Sequence, residues 1–391
     1  MANRHATCDV AVIGGGPAGA TAALTLAQTG YQVLLVEQQS RPAFKVGEAL
    51  PPAARPLLRD LGLLARLEAG GHLPSYGIQA AWGGPALQST DFIRDPHGPG
   101  WHLDRAAFDA GLRAAAREAG AGVREGARAI AAARTGGGWH VTLAAPAGPP
   151  DIAARWLIDC SGRARWLARQ LRVARHSDDR LLAFVTRFRP APPGFARDHD
   201  ARTLVEAGAD GWWYTALLPD GERVVVYHTD ARNATSAPAR TATGYGDLLA
   251  VTTHMRALLT TYNYQLGHGP RPTAANSTRL AGFAGAGWIA AGDAAIAFDP
   301  LSSQGIFTAL YAGLHAARAL HAHLTGDAGA LAAYDRNLTA IYAAYLHHRA
   351  VFYRLESRWA QQPFWHRRRQ DPLERGIAPS HDAHPPIPAR S

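Results

Sequence analysis

A glycine-rich turn between a strand and a helix is the feature that most constrains this sequence. Residues 9–13 are a β-branched apolar run, followed by Gly14-x-Gly16-x-x-Gly19 and an Ala/Leu-rich helix over Pro17–Gln28. The first glycine permits a tight turn, the second lets the backbone approach a pyrophosphate, and the third lets helix and strand pack closely. Glu37 ends the next buried strand and is placed to accept hydrogen bonds from a ribose diol. The pattern predicts a dinucleotide site and leaves NAD and FAD open.

A second polar motif lies near the other end of the chain. The buried strand at 287–291 delivers Asp293 directly after Gly292, and residues 299–305 then lead into a long apolar helix over residues 303–324. A carboxylate at a strand end can accept a hydrogen bond from a ribityl hydroxyl. Amides and the positive end of a helix dipole can stabilise the N1/O2 edge of a reduced flavin, which carries negative charge. The two motifs together therefore favour FAD.

These motifs resemble those of class A flavin monooxygenases, which have the p-hydroxybenzoate hydroxylase fold. Phe-Lys-Val-Gly-Glu-Ala-Leu-Pro-Pro at 44–52 and Ile-Asp-Cys-Ser-Gly at 158–162 are similar to the tryptophan-halogenase branch of that fold. Within the branch, a narrower set resembles this chain, namely the flavoprotein maturases of lysine and glycine oxidases and of quinohemoprotein amine dehydrogenase, which oxidise a tryptophan in a partner protein. The segments similar to that set are residues 74–77, 100–105 and 211–214.

The resemblance implies that FAD binds in an extended conformation, with its adenine ribose at Glu37 and its ring under the 299–305 loop. Arg105 would face the phosphates, and Ala129 lies on the strand whose backbone meets the adenine in such proteins. The residues expected to bind FAD are Gly14, Gly16, Pro17, Ala18, Gly19, Glu37, Gln38, Lys45, Val46, Gly47, Glu48, Arg105, Ala129, Asp293, Pro300, Ser303, Gln304, Gly305 and Ile306.

The order of apolar patterns predicts an α/β fold: a Rossmann-type FAD-binding domain with an inserted antiparallel β-sheet substrate domain and C-terminal helices. Helical spacing covers residues 51–68, 104–119 (with Asp104 as N-cap), 246–261 and 331–365. The predicted segments are FAD-binding at 1–71, 104–180 and 281–325, substrate domain at 72–103 and 181–280, C-terminal helices at 326–369, and a disordered tail at 370–391.

The chemistry implied by the resemblance is hydroxylation of an electron-rich aromatic ring through a flavin C4a-hydroperoxide. Halogenases of this family carry a catalytic lysine downstream of the Val-Gly-Glu segment and a Trp-x-Trp-x-Ile-Pro signature. Neither is present, since residues 72–82 contain no lysine and residues 206–219 lack the signature. The chain's 40 Lys and Arg residues include a single lysine, Lys45 in the flavin-proximal segment, which hints that an ammonium is needed there.

The expected substrate is tryptophan or an indole, either free or carried by a peptide or protein. The alternatives are a flavin-dependent halogenase and a flavin dehydrogenase such as a prenyl-chain reductase. Residues 282–287 precede a strand rather than a helix, so they do not form a second nucleotide-binding unit. Electrons must therefore come from transiently bound NAD(P)H or from a separate flavin reductase.

Aromatic and titratable side chains mark a candidate substrate pocket. Its predicted lining is Trp82, Trp212, Trp213 and Tyr214, although the last three are consecutive and cannot all face one side of a strand. The candidate catalytic residues are Lys45 and two histidines that could accept a proton from a ring regaining aromaticity, His72 and His228.

Composition limits the remaining classes of function. The formal net charge is +9, but the arginines are scattered, so a nucleic-acid groove is not predicted and the charge instead favours an anionic cofactor or an acidic partner. Two cysteines, Cys8 and Cys160, are too few for a disulfide framework or a metal cluster. The apolar stretch at 10–27 is interrupted by glycines and a proline, so no membrane span or signal peptide is predicted, and a cytoplasmic location is expected.

Overall fold

Four β-sheets and ten α-helices make up the part of the chain that the computed structural model describes, residues 5–144, 150–192 and 195–369. The strands are β1 (His5–Ile13), β2 (Val33–Glu37), β3 (Ala49–Leu50), β4 (Leu73–Ser75), β5 (Gly77–Ala81), β6 (Gln88–Asp91), β7 (Gly100–His102), β8 (Gly122–Glu125), β9 (Arg128–Thr135), β10 (Gly138–Ala144), β11 (Asp151–Asp159), β12 (Arg175–Ser177), β13 (Leu181–Arg189), β14 (Thr203–Gly208), β15 (Gly211–Leu217), β16 (Arg223–Asp230), β17 (Gln265–Ala274), β18 (Thr278–Leu280), β19 (Ala284–Gly285), β20 (Trp288–Ala290) and β21 (Ile296–Ala297). The helices are α1 (Pro17–Gln28), α2 (Ala54–Asp60), α3 (Leu64–Ala69), α4 (Arg105–Glu118), α5 (Trp166–Gln170), α6 (Ala242–Ala250), α7 (His254–Thr261), α8 (Gly305–Leu324), α9 (Ala330–Leu355) and α10 (Pro363–Arg369). The predicted disordered tail lies outside the described residues.

An eight-stranded sheet, here called the parallel sheet after its central strands, carries the N-terminal motif in the strand order β19-β20-β11-β1-β2-β8, with antiparallel β10 and β9 attached to β11 and with β19 antiparallel to β20. β1 lies between β2 and β11 and is parallel to both, and β20 is parallel to β11. The carboxyl ends of β1, β2, β11 and β20 therefore meet at one edge, where open α/β sheets bind their ligands. Helix α4 begins as predicted, because the Asp104 carboxylate accepts hydrogen bonds from the amides of Ala106 and Ala107.

The inserted sheet has seven strands in the order β17-β13-β16-β15-β14-β5-β6. Its pairs are antiparallel except β14 and β5, so two distant chain segments build one sheet. One apolar cluster surrounds the parallel sheet, and two others cover opposite faces of the seven-stranded sheet. The predicted fold class is confirmed.

Several predicted elements are divided in the structure. The helix predicted over residues 51–68 is two helices, α2 and α3, separated at Gly62, which has a φ of +69°. The helix predicted over residues 246–261 is also two, because the Glu206 carboxylate accepts hydrogen bonds from the amides of Thr253, His254 and Met255 and so caps the start of α7. The helical stretch predicted to reach residue 365 ends at Leu355 in α9, and α10 follows separately.

One long strand, β17, was not predicted at all. It contains two prolines and two glycines, which are depleted in strands, and it forms an edge of the seven-stranded sheet, where proline is tolerated. Among the described residues, none of the helices combines the length and the apolar character needed to cross a membrane.

Candidate active site

The N-terminal glycines form a turn at the carboxyl edge of the parallel sheet. Gly14 has a φ of +108°, and a Cβ added there would lie 2.2 Å from the carbonyl oxygen of Cys160, so only glycine fits between β1 and β11. A Cβ added at Gly16 would meet no atom within 4 Å. The residue before α1 therefore has free space on its Cα, so a pyrophosphate could approach the backbone there.

Glu37 stands beside this turn in a fixed orientation. One carboxylate oxygen accepts a hydrogen bond from the Gly15 amide and the other from the Gln39 amide, both at 2.8 Å. The Ala127 amide donates a hydrogen bond to the Glu37 carbonyl at 3.0 Å. This bond holds the start of β9 beside the end of β2, and Ala129 lies on β9 two residues after Ala127. The structure thus brings the residues predicted for the adenine end of FAD to one edge of the sheet.

Helices α1 and α8 bring the C-terminal motif to the same cleft. A Cβ added at Gly313 of α8 would lie 2.2 Å from the Ala18 carbonyl oxygen of α1, and one added at Gly292 would lie 2.8 Å from the Ala18 Cβ. At the start of α8, a Cβ added at Gly305 would meet no atom within 4 Å. Helix α8 therefore packs on the first turn of α1, and we define the cofactor cleft as the space at Gly16 and Gly305 beside the starts of these two helices.

Asp293 lies in this cleft with 40% of its side chain exposed, and Arg163 Nε is 3.5 Å from its carboxylate. Arg163 is itself held by hydrogen bonds to the carbonyl oxygens of Asn276 (2.7 Å) and Phe298 (3.1 Å). Partial desolvation by the surrounding protein atoms raises the pKa of Asp293, and the positive charges of Arg163 and Arg105 oppose that rise.

The Val-Gly-Glu segment is fixed from α4. Arg105 donates to the carbonyl oxygens of Gly47 (2.7 Å) and Val46 (3.2 Å) and forms an ion pair with Asp109 at 3.2 Å. Lys45 Nζ lies 2.9 Å from the other oxygen of the buried Asp109. Both cations predicted to be near the flavin therefore share one aspartate as their ion-pair partner, and sequence reasoning missed that aspartate.

Glu48 connects this segment to the seven-stranded sheet. Its buried carboxylate accepts hydrogen bonds from the Tyr214 hydroxyl at 2.5 Å and from the Gly47 amide at 3.1 Å. Burial raises the pKa of Glu48, and burial together with the Glu48 carboxylate raises the pKa of Tyr214 well above its usual value. The hydrogen bond between Tyr214 and Glu48 therefore joins the seven-stranded sheet to the Val-Gly-Glu segment.

We define the aromatic face as Trp82, Trp212, Tyr214 and His228. The ring of Trp82 packs edge-on against Trp212, and Trp212 stacks on His228 with 3.7 Å between ring centroids. Val46 and Leu301 pack against the apolar cluster that contains Trp212, and Tyr214 donates to Glu48, so this cluster lies beside both segments predicted to bind the cofactor. Trp213 is not on it: it lies on the opposite face and stacks on Tyr227, because successive strand residues point in opposite directions.

The two candidate histidines are in different surroundings. His228 is buried, and burial lowers its pKa to about 3, so it is neutral at physiological pH. His72 lies against Phe108 at the start of α4, where its Nδ1 accepts a hydrogen bond from the Asp104 amide at 3.2 Å. Burial lowers the pKa of His72 as well. The contacts of His72 are therefore with Phe108 and Asp104 at the start of α4, whereas His228 lies on the aromatic face.

Sequence reasoning also missed a row of side chains on α9. Tyr345 accepts a hydrogen bond from the Asp299 amide at 2.7 Å, and Tyr353 donates one to the Asp299 carboxylate at 2.8 Å. Tyr342, Tyr345, Arg349 and Tyr353 recur at helical spacing, which was the available signal.

Comparison with known proteins decides the family. A family model described as an FAD binding domain matches residues 7–348. The chain belongs to this family. LodB of Marinomonas mediterranea, named as an FAD-dependent oxidoreductase, is 30% identical over 370 residues, which cover 92% of this chain and 96% of LodB. The enzyme is therefore an FAD-dependent oxidoreductase, and the prediction of FAD is confirmed.

Two solved structures place the enzyme in the branch that contains halogenases and monooxygenases. The myxobacterial chondrochloren halogenase CndH superposes with a TM-score of 0.83 at 25% identity, covering 95% of this chain and 87% of that one. The peptidyl tryptophan dihydroxylase QhpG superposes with a TM-score of 0.71 at 26% identity, covering 94% of this chain and 80% of that one. The prediction is confirmed at the level of this halogenase and monooxygenase branch, and the tryptophan-halogenase subdivision stays a prediction.

Proposed function

We propose that the enzyme hydroxylates an electron-rich aromatic ring, and that its substrate is a tryptophan carried by a peptide or protein. The observation that carries the proposal is the aromatic face beside Val46 and Leu301, together with a lysine that is already paired with Asp109. The similarity to QhpG, a peptidyl tryptophan dihydroxylase, supports the choice of substrate.

The residues of the cleft fit FAD at both ends. The open start of α1 would hold the pyrophosphate, Glu37 the ribose, and the open start of α8 the N1/O2 edge of the ring. FAD, once bound and reduced, supplies the activation of molecular oxygen. The chain would hold the Val-Gly-Glu segment through Arg105 and would exclude water with Trp82 and Trp212.

Halogenation is the second candidate, because the structure of CndH superposes over 95% of this chain. The geometry of Lys45 weighs against it. A lysine that handles hypohalous acid needs a free ammonium, whereas Lys45 Nζ lies 2.9 Å from the carboxylate of a buried aspartate. The lysine would have to leave Asp109 before it could act.

Product masses separate the two candidates. The FAD-loaded enzyme would be incubated with free tryptophan and with an acetylated Gly-Trp-Gly peptide, with and without bromide. Electrons would come in parallel from NADH, from NADPH, and from NADH with a flavin reductase and free FAD, which also tests the electron source. We expect the peptide to gain one or two oxygen atoms, independent of bromide.

A brominated product that disappears in Lys45→Met would establish halogenation instead. Substrate recovered unchanged under every electron source would refute the proposed hydroxylation of tryptophan. Gly14→Val is the control, since a side chain there collides with Cys160 and FAD binding should be lost together with product.

A further inference from the structure

A single hydroxyl connects the aromatic face to the loop beside the flavin. Tyr353 Oη accepts a hydrogen bond from Trp212 Nε1 at 3.1 Å and donates one to Asp299 Oδ2 at 2.8 Å. All three side chains are buried. Trp212 lies on β15 and Asp299 opens the 299–305 loop, so the hydroxyl joins two parts of the site that are distant in sequence.

On the cofactor side, Asp299 determines how the 299–305 loop enters α8. Its Oδ1 accepts a hydrogen bond from the Leu301 amide at 2.9 Å, which fixes the first turn of the loop. Its own amide donates to Tyr345 Oη. Two tyrosines of α9 therefore hold one aspartate, and the start of α8 depends on its position.

On the substrate side, Trp212 is the centre of the aromatic face. Its ring is stacked on His228 and meets Trp82 edge-on, with 6.3 Å between the centroids of the two tryptophans. A ring that packs against the half-buried Trp82 would press on the buried Trp212 and shift the indole N–H that points at Tyr353. The strength of the Tyr353–Asp299 hydrogen bond would change with it, because hydrogen bonds in a chain polarise one another.

We propose that Tyr353 is a positioning residue that couples the aromatic face to the flavin-binding loop through its shared hydroxyl. The part of this proposal that concerns FAD requires only that the chain binds FAD, as its family membership shows. The part that concerns a bound aromatic ring rests on the proposed function. Arg368 supports the arrangement, since its guanidinium lies 5.4 Å from the Tyr353 ring and forms an ion pair with Asp230 of β16.

A double-mutant cycle on FAD affinity tests the coupling. Tyr353→Phe leaves a buried acceptor of Asp299 without a donor, so the Kd for FAD should rise about five- to thirty-fold. Trp212→Phe keeps a ring but removes the N–H, and the Kd should rise about two- to five-fold. The double variant should bind FAD no more weakly than Tyr353→Phe alone, because both changes break one chain.

Two control variants separate coupling from loss of packing. Trp213→Phe changes the neighbouring tryptophan, which points to the opposite face, and Tyr245→Phe removes a buried hydroxyl that is bonded to Thr186 and the Val225 carbonyl. Both should leave the Kd within about twofold and the visible spectrum of bound FAD unchanged, whereas Trp212→Phe should shift that spectrum.

Identical FAD spectra and Kd values for Trp212→Phe and Trp213→Phe would overturn the proposal, and so would additive effects in the cycle. If Tyr353→Phe does not fold, the comparison of Trp212→Phe with Trp213→Phe still tests whether the aromatic face is coupled to FAD binding. These measurements need no substrate, so their outcome is independent of whether the peptide is hydroxylated.

Discussion

The contact between α1 and α8 makes Gly313→Ala a demanding test of the cofactor cleft. Both helices begin at the cleft, and they approach so closely that an added Cβ at Gly313 would lie 2.2 Å from the oxygen and 2.9 Å from the carbonyl carbon of Ala18. Both are backbone atoms and cannot rotate away, so the helices must separate by about an ångström. The starts of α1 and α8 would then move relative to each other.

Two opposing effects set the magnitude. Overpacking costs about 1–3 kcal/mol, and contact with backbone places Gly313→Ala at the upper end of that range. Replacing glycine by alanine inside a helix stabilises by about 1 kcal/mol. We therefore expect a net loss of about 2 kcal/mol in the free energy of unfolding, together with weaker FAD binding.

Gly246→Ala on α6 is the matched control. It is also a helical glycine, but an added Cβ meets no atom within 4 Å, so the substitution should stabilise by about 0.5–1 kcal/mol and leave FAD affinity unchanged. The assays are denaturant unfolding of the apoprotein and fluorescence titration with FAD. If Gly313→Ala proves as stable as Gly246→Ala, the close helix contact does not exist as described.

Two further predictions concern buried charge. The pKa of Glu48 is raised in the folded protein, so its contribution to stability is complete below the pKa of the unfolded carboxyl and is lost as pH rises. The free energy of unfolding of Glu48→Gln relative to that of the natural protein should therefore rise in denaturant unfolding as pH increases above about 4.3, the pKa of an unfolded glutamate, and a difference independent of pH would contradict the reasoning. Asp109→Asn should lower the free energy of unfolding by about 2–4 kcal/mol, because it leaves Arg105, only 10% exposed, without its counter-charge. Lys45→Met should cost about 1 kcal/mol or less, since that side chain is 31% exposed, and equal losses in the two variants would refute the assignment.

Local rules were sufficient for the parallel sheet and its motifs. The strand, glycine turn and helix at residues 9–28 follow from periodicity and from the conformational demands of Gly14. The prediction of one continuous helix over residues 246–261 was wrong, because the interruption has a distant cause. Its interruption depends on Glu206, which lies some 47 positions earlier and caps α7 only because β14 passes beside it. No pattern within the helix contains that information.

The candidate site shows the same division between local and distant determinants. Strand alternation alone established that Trp212, Trp213 and Tyr214 could not share a face, but which of them lies in the apolar cluster beside Val46 and Leu301 depends on how the seven-stranded sheet packs in the fold. The single lysine was noticed because it is rare, yet rarity does not identify a partner. Asp109 pairs with it from a helix 64 positions later. A residue type can therefore point to a site, whereas the role of that residue follows from the charges that the fold places beside it.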